Sequence, residues 1–325
     1  MSRPSGGATG GVEPGPTAIV LAFAAIYLIW GSTYLAIRWA IETMPPFGMA
    51  AVRFLIAGML LYAWSRSRGA PTPSPRQWRD AAISGTLLLA GGNGAVVVAE
   101  QWVPSGLVAL LVASVPLWLV LLDMLFGARV RPSRRTMVGL AAGFVGVGVL
   151  AGSPGVGAGG IEEMFGAVLV LAGSVSWAAG SLFSRYAKLP ARPRMLVAMQ
   201  MLAGGAVLAV LSLASGEAVG FEIDAVSARS WAALAYLIVA GALVGYAAYI
   251  WLLTVVIPAR VGTYAYVNPV VAMLLGWALA DEPLTFRSLF AATIILGSVV
   301  VITTETGGAH RAMRPLPRST DGKAR

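Results

Sequence analysis

Val261 to Ala280 is an apolar run without an acidic or basic group, yet it carries Thr263, Tyr264, Tyr266, Asn268 and Pro269. Tyr264 and Asn268 are four apart, so a helix places them on one face, with Thr263 and Tyr266 to either side. The Asn268 amide offers two donors and an acceptor, a match for a carboxylate or an ammonium, and the phenol rings can stack on an aromatic side chain. Pro269 has no amide proton, which frees the carbonyl of Ala265 for a ligand or a water. In hydrocarbon such groups cost free energy unless they face protein or water. The segment is therefore expected to line a polar cavity inside a membrane. The competing role is packing, with Asn268 bridging two helices and Pro269 bending one.

Other stretches offer similar chemistry. Trp30 and Tyr34 are four apart, with Tyr27 three before Trp30, a stripe that suits either a cavity or an interfacial belt. Trp177 shares a face with Ser174 and Ser181, Asn93 lies between Gly92 and Gly94, Tyr246 and Tyr249 are three apart, and Ser114 and Trp118 are four apart. Taken singly, each is more often packing than recognition. Convergence of Trp30, Tyr34, Asn93, Trp118, Trp177, Tyr246, Tyr249, Tyr264, Tyr266 and Asn268 on a central space is the expected substrate site. Arg53 and Glu100 are the charges most in need of partners. They are expected to pair as a gating or structural element near one mouth, unless Arg53 snorkels outward and Glu100 is solvated. Asp123 is expected to meet an Arg or solvent. No acid or histidine is placed mid-membrane as an obvious proton relay, which leaves proton coupling open.

Catalysis finds little to work with. The chain has no cysteine, and its one histidine is His310 near the end. No two acids cluster within the apolar runs, so neither a nucleophile with its base nor a metal with its ligands is at hand. The chain reads as no enzyme, with no cofactor and no metal. A channel would be expected to carry a repeated filter or a ring of like charge, and neither is present.

The elements that must position these residues are membrane helices. Hydrophobic residues make up 58% of the chain and charged residues only 11%, against about 25% charged in a soluble domain. Runs free of charge recur at about the length a helix needs to cross hydrocarbon. With one further span interrupted by Arg53, they predict ten spans, near 17–37, 45–65, 79–99, 103–125, 136–153, 164–184, 194–214, 231–254, 258–280 and 286–304. All but Arg38, Arg53, Arg229 and Arg287 of the 23 Lys and Arg then fall on the side of the amino terminus. That is the positive-inside pattern, so the net charge of +9 reports orientation and not a nucleic-acid partner. Both termini are expected to be cytoplasmic. Residues 1–16, rich in Gly, Pro and Ser, are expected to be a disordered tail, and 305–325 a basic cytoplasmic one.

The spans repeat. Trp30, Arg38, Ala40, Pro46, Ala51, Leu55 and Gly58 recur in one register as Trp177, Arg185, Ala187, Pro193, Ala198, Leu202 and Gly205, while Arg53 meets Gln200. Pro116 matches Pro269, so a helix bend is expected in both halves. The chain divides into five-helix halves, 17–153 and 164–304. Five being odd, the second half must enter with opposite polarity. The expected fold is an all-α polytopic membrane protein, ten transmembrane helices in two inverted five-helix repeats around a central cavity. Gly139, Gly143, Gly146 and Gly148, with Gly204 and Gly205, would let helices approach closely.

The sequence resembles the EamA-type permeases of the drug/metabolite transporter superfamily. The resemblance is carried by Ile29 to Arg38, Met49 to Leu61, Gly91 to Pro116 and Thr263 to Gly276, followed by Asp281, Glu282, Pro283 and Leu284. It implies an inner-membrane exporter of amino acids, aromatic ones included, or of related metabolites, with export of drugs or lipophilic cations as the alternative. The expected partners are membrane lipid and a small-molecule substrate, with monomer and oligomer both left open. One departure stands out. The acidic residue and proline after the ninth helix, Glu282 and Pro283, have no counterpart in the matching first-half turn, Gly127 to Val130.

Overall fold

The computed structural model describes residues 16–126, 133–151, 160–187, 189–190, 192–256, 261 and 263–312. Among the described residues there is no strand, and seven helices are long and apolar enough to cross a membrane. These are α1 (Pro16–Ala40), α2 (Pro46–Ser67), α3 (Pro75–Ala99), α4 (Ser105–Phe126), α6 (Ile161–Tyr186), α7 (Pro193–Ala214) and α8 (Ala228–Leu252). Between α4 and α6 lies α5 (Arg134–Ala151); α9 (Tyr264–Ala280) and α10 (Phe286–Ala312) complete the set. Helix is the form these sequences must take in lipid, where each backbone amide needs a partner within its own segment. The tail thus begins as helix up to Ala312, whereas residues 1–15, 127–130 and 313–325 lie outside the described residues.

Local chemistry sets several boundaries. Pro46 and Pro193, matched in the repeat, both open their helices, where a missing N–H costs nothing. Ser74 and Gln77 cap α3 reciprocally, each side chain bonded to the other's backbone N–H. Two features were not foreseen. The third helix of each half, α3 and α8, contains an eight-residue π-helical segment, Thr86–Asn93 and Leu237–Val244. The predicted bends differ as well: α4 is interrupted between Val112 and Val115, just before Pro116, while α9 stays helical through Pro269.

A seam of small residues joins α2 to α7. A Cβ on Gly58 would stand 3.0 Å from the backbone N of Leu202, and one on Gly205 would stand 3.1 Å from the backbone N of Leu55. Gly58 matches Gly205 and Leu55 matches Leu202, so the contact is reciprocal. Gly139, Gly143 and Gly146 of α5 similarly admit α10, whereas Gly148 has no neighbour within 4 Å. Gly205→Val is expected to cost about 1–3 kcal/mol by overpacking this seam. A lower thermal midpoint in detergent would register the loss, and an unchanged midpoint would contradict so close a contact.

Candidate functional site

Three helices build an aromatic cage. The Trp30 ring of α1 lies 5.3 Å from Tyr249 of α8 and 5.0 Å from Tyr264 of α9, the latter edge-on, and Tyr249 and Tyr264 are 5.9 Å apart at 89°. Tyr246 adds a fourth ring 6.0 Å from Tyr249. Edge-to-face geometry at these distances is favourable beyond area burial. All four rings are half-buried.

The cage is held by polar anchors. Trp30 Nε1 donates to the carbonyl of Gly241 at 3.1 Å, within the π-helical segment of α8. Gly245 lets the indole lie against that helix, since a Cβ there would stand 2.6 Å from Nε1. Tyr27 and Thr263 share a hydroxyl hydrogen bond of 2.5 Å, and Ser32 and Tyr236 share another of 2.6 Å. Widening α8 with a π turn thus supplies both the carbonyl and the space that fix Trp30.

Asn268 is buried beside the α1–α9 seam, and its Oδ1 has no hydrogen-bond partner. Gly31 makes that seam tight, as a Cβ there would stand 3.3 Å from the Asn268 carbonyl oxygen. Asn93 Oδ1 is also unpartnered. Tyr34 lies within electrostatic reach of Tyr264 and of Glu100.

Other expected members sit apart. Trp177 packs on Gly92 next to Asn93. Trp118 Nε1 donates to Ser114 Oγ at 3.1 Å, and the indole meets Phe144 of α5 edge-on, 4.8 Å away. Tyr266 reaches the Val299 carbonyl of α10 at 3.4 Å. Trp118 and Tyr266 thus serve helix packing in this conformation because their faces turn toward α5 and α10.

The expected ion pair between Arg53 and Glu100 is not formed. Arg53 is 7% exposed and Glu100 fully buried, and Arg53 Nε and Nη1 and both Glu100 carboxylate oxygens have no hydrogen-bond partner. The Arg53 guanidinium lies 4.9 Å from the Phe54 ring centroid, a contact that offsets part of its desolvation. Arg38 Nη1 donates to the Glu100 backbone carbonyl and leaves the carboxylate aside.

The acidic end of the bundle holds two groups the sequence reading missed as contacts. Glu217 accepts from the backbone N–H groups of Phe47 and Gly48 at 3.1 and 2.9 Å, at the start of α2. Glu282 accepts from those of Ser105 and Gly106 at 2.7 and 2.9 Å, at the start of α4. Each carboxylate follows a residue in the left-handed region, Gly216 (φ 78°) after α7 and Asp281 (φ 53°) after α9, which turns the chain back toward the neighbouring helix. A carboxylate at a helix N-terminus meets unpaired donors and the positive end of the dipole. The available signal was an acid just past one helix facing a proline-led helix start, Pro46 or Pro104.

The two ends of α4 differ accordingly. At Glu282, Gly106 and Met273 the free volume is about 10 Å³, room for one water at most. At the opposite end, Leu122, Phe126, Ala179, Leu182 and Phe183 line an open apolar groove of about 300 Å³. Among the described residues, no cluster of acids or histidines is suited to a metal.

The EamA-like transporter family's model matches residues 17–152 and again 164–304. The chain is 42% identical to the inner membrane transporter YedA of Escherichia coli (strain K12), over 87% of this chain and 89% of that protein. It is 26% identical to the transporter YvbV of Bacillus subtilis (strain 168), over 89% and 92%. A solved crystal structure superposes with a TM-score of 0.60 at 22% identity, over 92% of this chain and 100% of the other, a likeness of fold alone.

Proposed function

The chain belongs to the EamA-like transporter family, and from that premise we propose that this multi-pass membrane transporter exports amino acids, aromatic ones among them, across an inner membrane. It does so by alternating access of two inverted five-helix halves, with both termini cytoplasmic. The observation that carries the substrate reading is the half-buried cage of Trp30, Tyr246, Tyr249 and Tyr264, with the unpartnered Asn268 amide oxygen on α9. Rings suit an aromatic side chain, and the amide suits an ammonium.

Three observations support the inverted arrangement: the family's model matching twice, the reciprocal Gly58–Leu202 and Gly205–Leu55 contacts, and the π-helical segments in α3 and α8. The positive-inside pattern puts the acidic end outside. Glu217 and Glu282 then seal the outer mouth, while the open apolar groove lies toward the cytoplasm. A second reading, export of lipophilic cations, is favoured by that groove, which is lined by Leu, Phe and Ala.

Proteoliposomes containing the purified protein, tested with labelled amino acids and one cationic drug, separate the two. Transport of an aromatic amino acid is expected, and transport of the drug alone would reject the reading. Asn268→Ala is expected to lower amino-acid transport about tenfold or more, the value of a hydrogen bond to a charged group. Full transport with unchanged substrate preference would remove Asn268 from the site.

A further inference from the structure

We propose that Arg53 and Glu100 are the two halves of a subsite for the charged groups of a zwitterion, Arg53 holding the substrate carboxylate and Glu100 its ammonium. The assignment rests on the amino-acid reading above and names the groups that would read the substrate's charges.

Arg53 Nε and Nη1 and both Glu100 oxygens are buried without hydrogen-bond partners. Burying a guanidinium and a carboxylate is tolerated when they pair and is costly when they do not. These two are within electrostatic reach of each other yet do not touch. A structural clamp would close that gap. An α-amino acid carries opposite charges on groups one carbon apart, each reaching one hydrogen bond further, and so bridges a gap that a direct ion pair leaves open.

The repeat sharpens the contrast. Gln200, the counterpart of Arg53, is buried too, but its amide donates to Ser84 Oγ at 2.9 Å. The position therefore accepts a satisfied polar group in one half and holds an unsatisfied cation in the other.

Placement completes the case. Gly241, which anchors Trp30, is also the glycine beside Arg53, since a Cβ there would stand 3.5 Å from Nη2. Tyr34 connects the two levels, within reach of Glu100 on one side and Tyr264 on the other. Along α1 the order runs from Trp30 to Tyr34 to Arg38, from the rings to the acidic end. A substrate with its charges between Arg53 and Glu100 directs its side chain at the aromatic cage.

The test uses the purified, full-length protein and calorimetric binding of three probes: L-phenylalanine, 2-phenylethylamine, which lacks the carboxylate, and 3-phenylpropanoate, which lacks the ammonium. Wild type is expected to bind L-phenylalanine at least about tenfold more tightly than either analogue. Glu100→Gln is expected to erase that advantage over 3-phenylpropanoate while leaving the binding of 3-phenylpropanoate unchanged. Arg53→Gln is expected to do the same for 2-phenylethylamine, and Arg53→Lys to restore part of the discrimination. Equal affinity of wild type for all three probes overturns the assignment without any variant. So does a uniform loss across the probes in folded variants. If wild type binds none of the twenty amino acids, the amino-acid reading itself fails and this assignment with it. If it binds them but the variants do not discriminate, this assignment alone fails.

Discussion

Glu282→Ala is expected to open the acidic end of the bundle. The carboxylate accepts two backbone N–H groups at the first turn of α4, and a hydrogen bond to a charged group is worth about 1.5–3 kcal/mol. Removing it leaves both donors in a space with room for one water at most. If the sealed arrangement is one of two alternating states, a loss of about 3 kcal/mol shifts their ratio more than a hundredfold. The chain has no native cysteine, so one introduced thiol reports alone. Met273→Cys, in the cavity wall beside Glu282, is expected to react with a membrane-impermeant maleimide from the outside at least about tenfold faster in the Glu282→Ala background. Equal labelling rates in the two backgrounds, with folding intact, would mean that Glu282 only caps a helix.

The second large effect belongs to Trp30. Its indole touches Tyr249 and Tyr264 and bonds Gly241, so alanine there removes the shared wall of the cage. Trp30→Ala is expected to reduce transport more than tenfold, from the loss of aromatic contacts worth about 0.5–1.5 kcal/mol each and of a hydrogen bond worth about 1 kcal/mol. Trp30→Phe keeps the ring contacts and is expected to fall between. Gly245→Ala, whose new methyl would press on Nε1, should resemble Trp30→Phe, because it displaces the indole without removing it. Initial transport rates normalised to folded protein decide the matter. An order in which Gly245→Ala exceeds Trp30→Ala would place the recognition elsewhere.

The two ends of the bundle are held differently. Both carboxylate contacts lie at the acidic end, Glu217 after α7 and Glu282 after α9. At the basic end, α2 and α7 meet through Arg192, which donates to the Arg68 carbonyl at 3.0 Å from an exposed position. An exposed bond of that kind is weak beside two charge-assisted bonds into a helix start. Among the described residues the acidic end is thus the better sealed of the two; in the orientation proposed above, that seal must open before a substrate leaves.

Membrane class, the two halves and the residues worth watching were legible in the sequence. Hydropathy and charge are summed locally, so apolar runs and the one-sided Lys and Arg need no knowledge of packing. The repeat was legible because Pro46 with Pro193 and Gly58 with Gly205 do the same local work in each half. Trp30, Tyr246, Tyr249 and Tyr264 stood out as polar-edged rings in apolar helices. What the sequence could not fix was which rings meet. Spacing within one helix orders its own faces, but the rotation of that helix against its neighbours follows from close packing along its whole length. The tertiary structure therefore gathered α1, α8 and α9 into a cage and turned Trp118 and Tyr266 to α5 and α10. It placed π-helical segments in α3 and α8, which no apolar pattern marks, and sent Glu217 and Glu282 to helix starts remote in sequence. It also held Arg53 and Glu100 apart where their charges alone argued for contact, because the positions of α2 and α3 are set by the seams of small residues against α6 and α7, and two side chains do not move a helix.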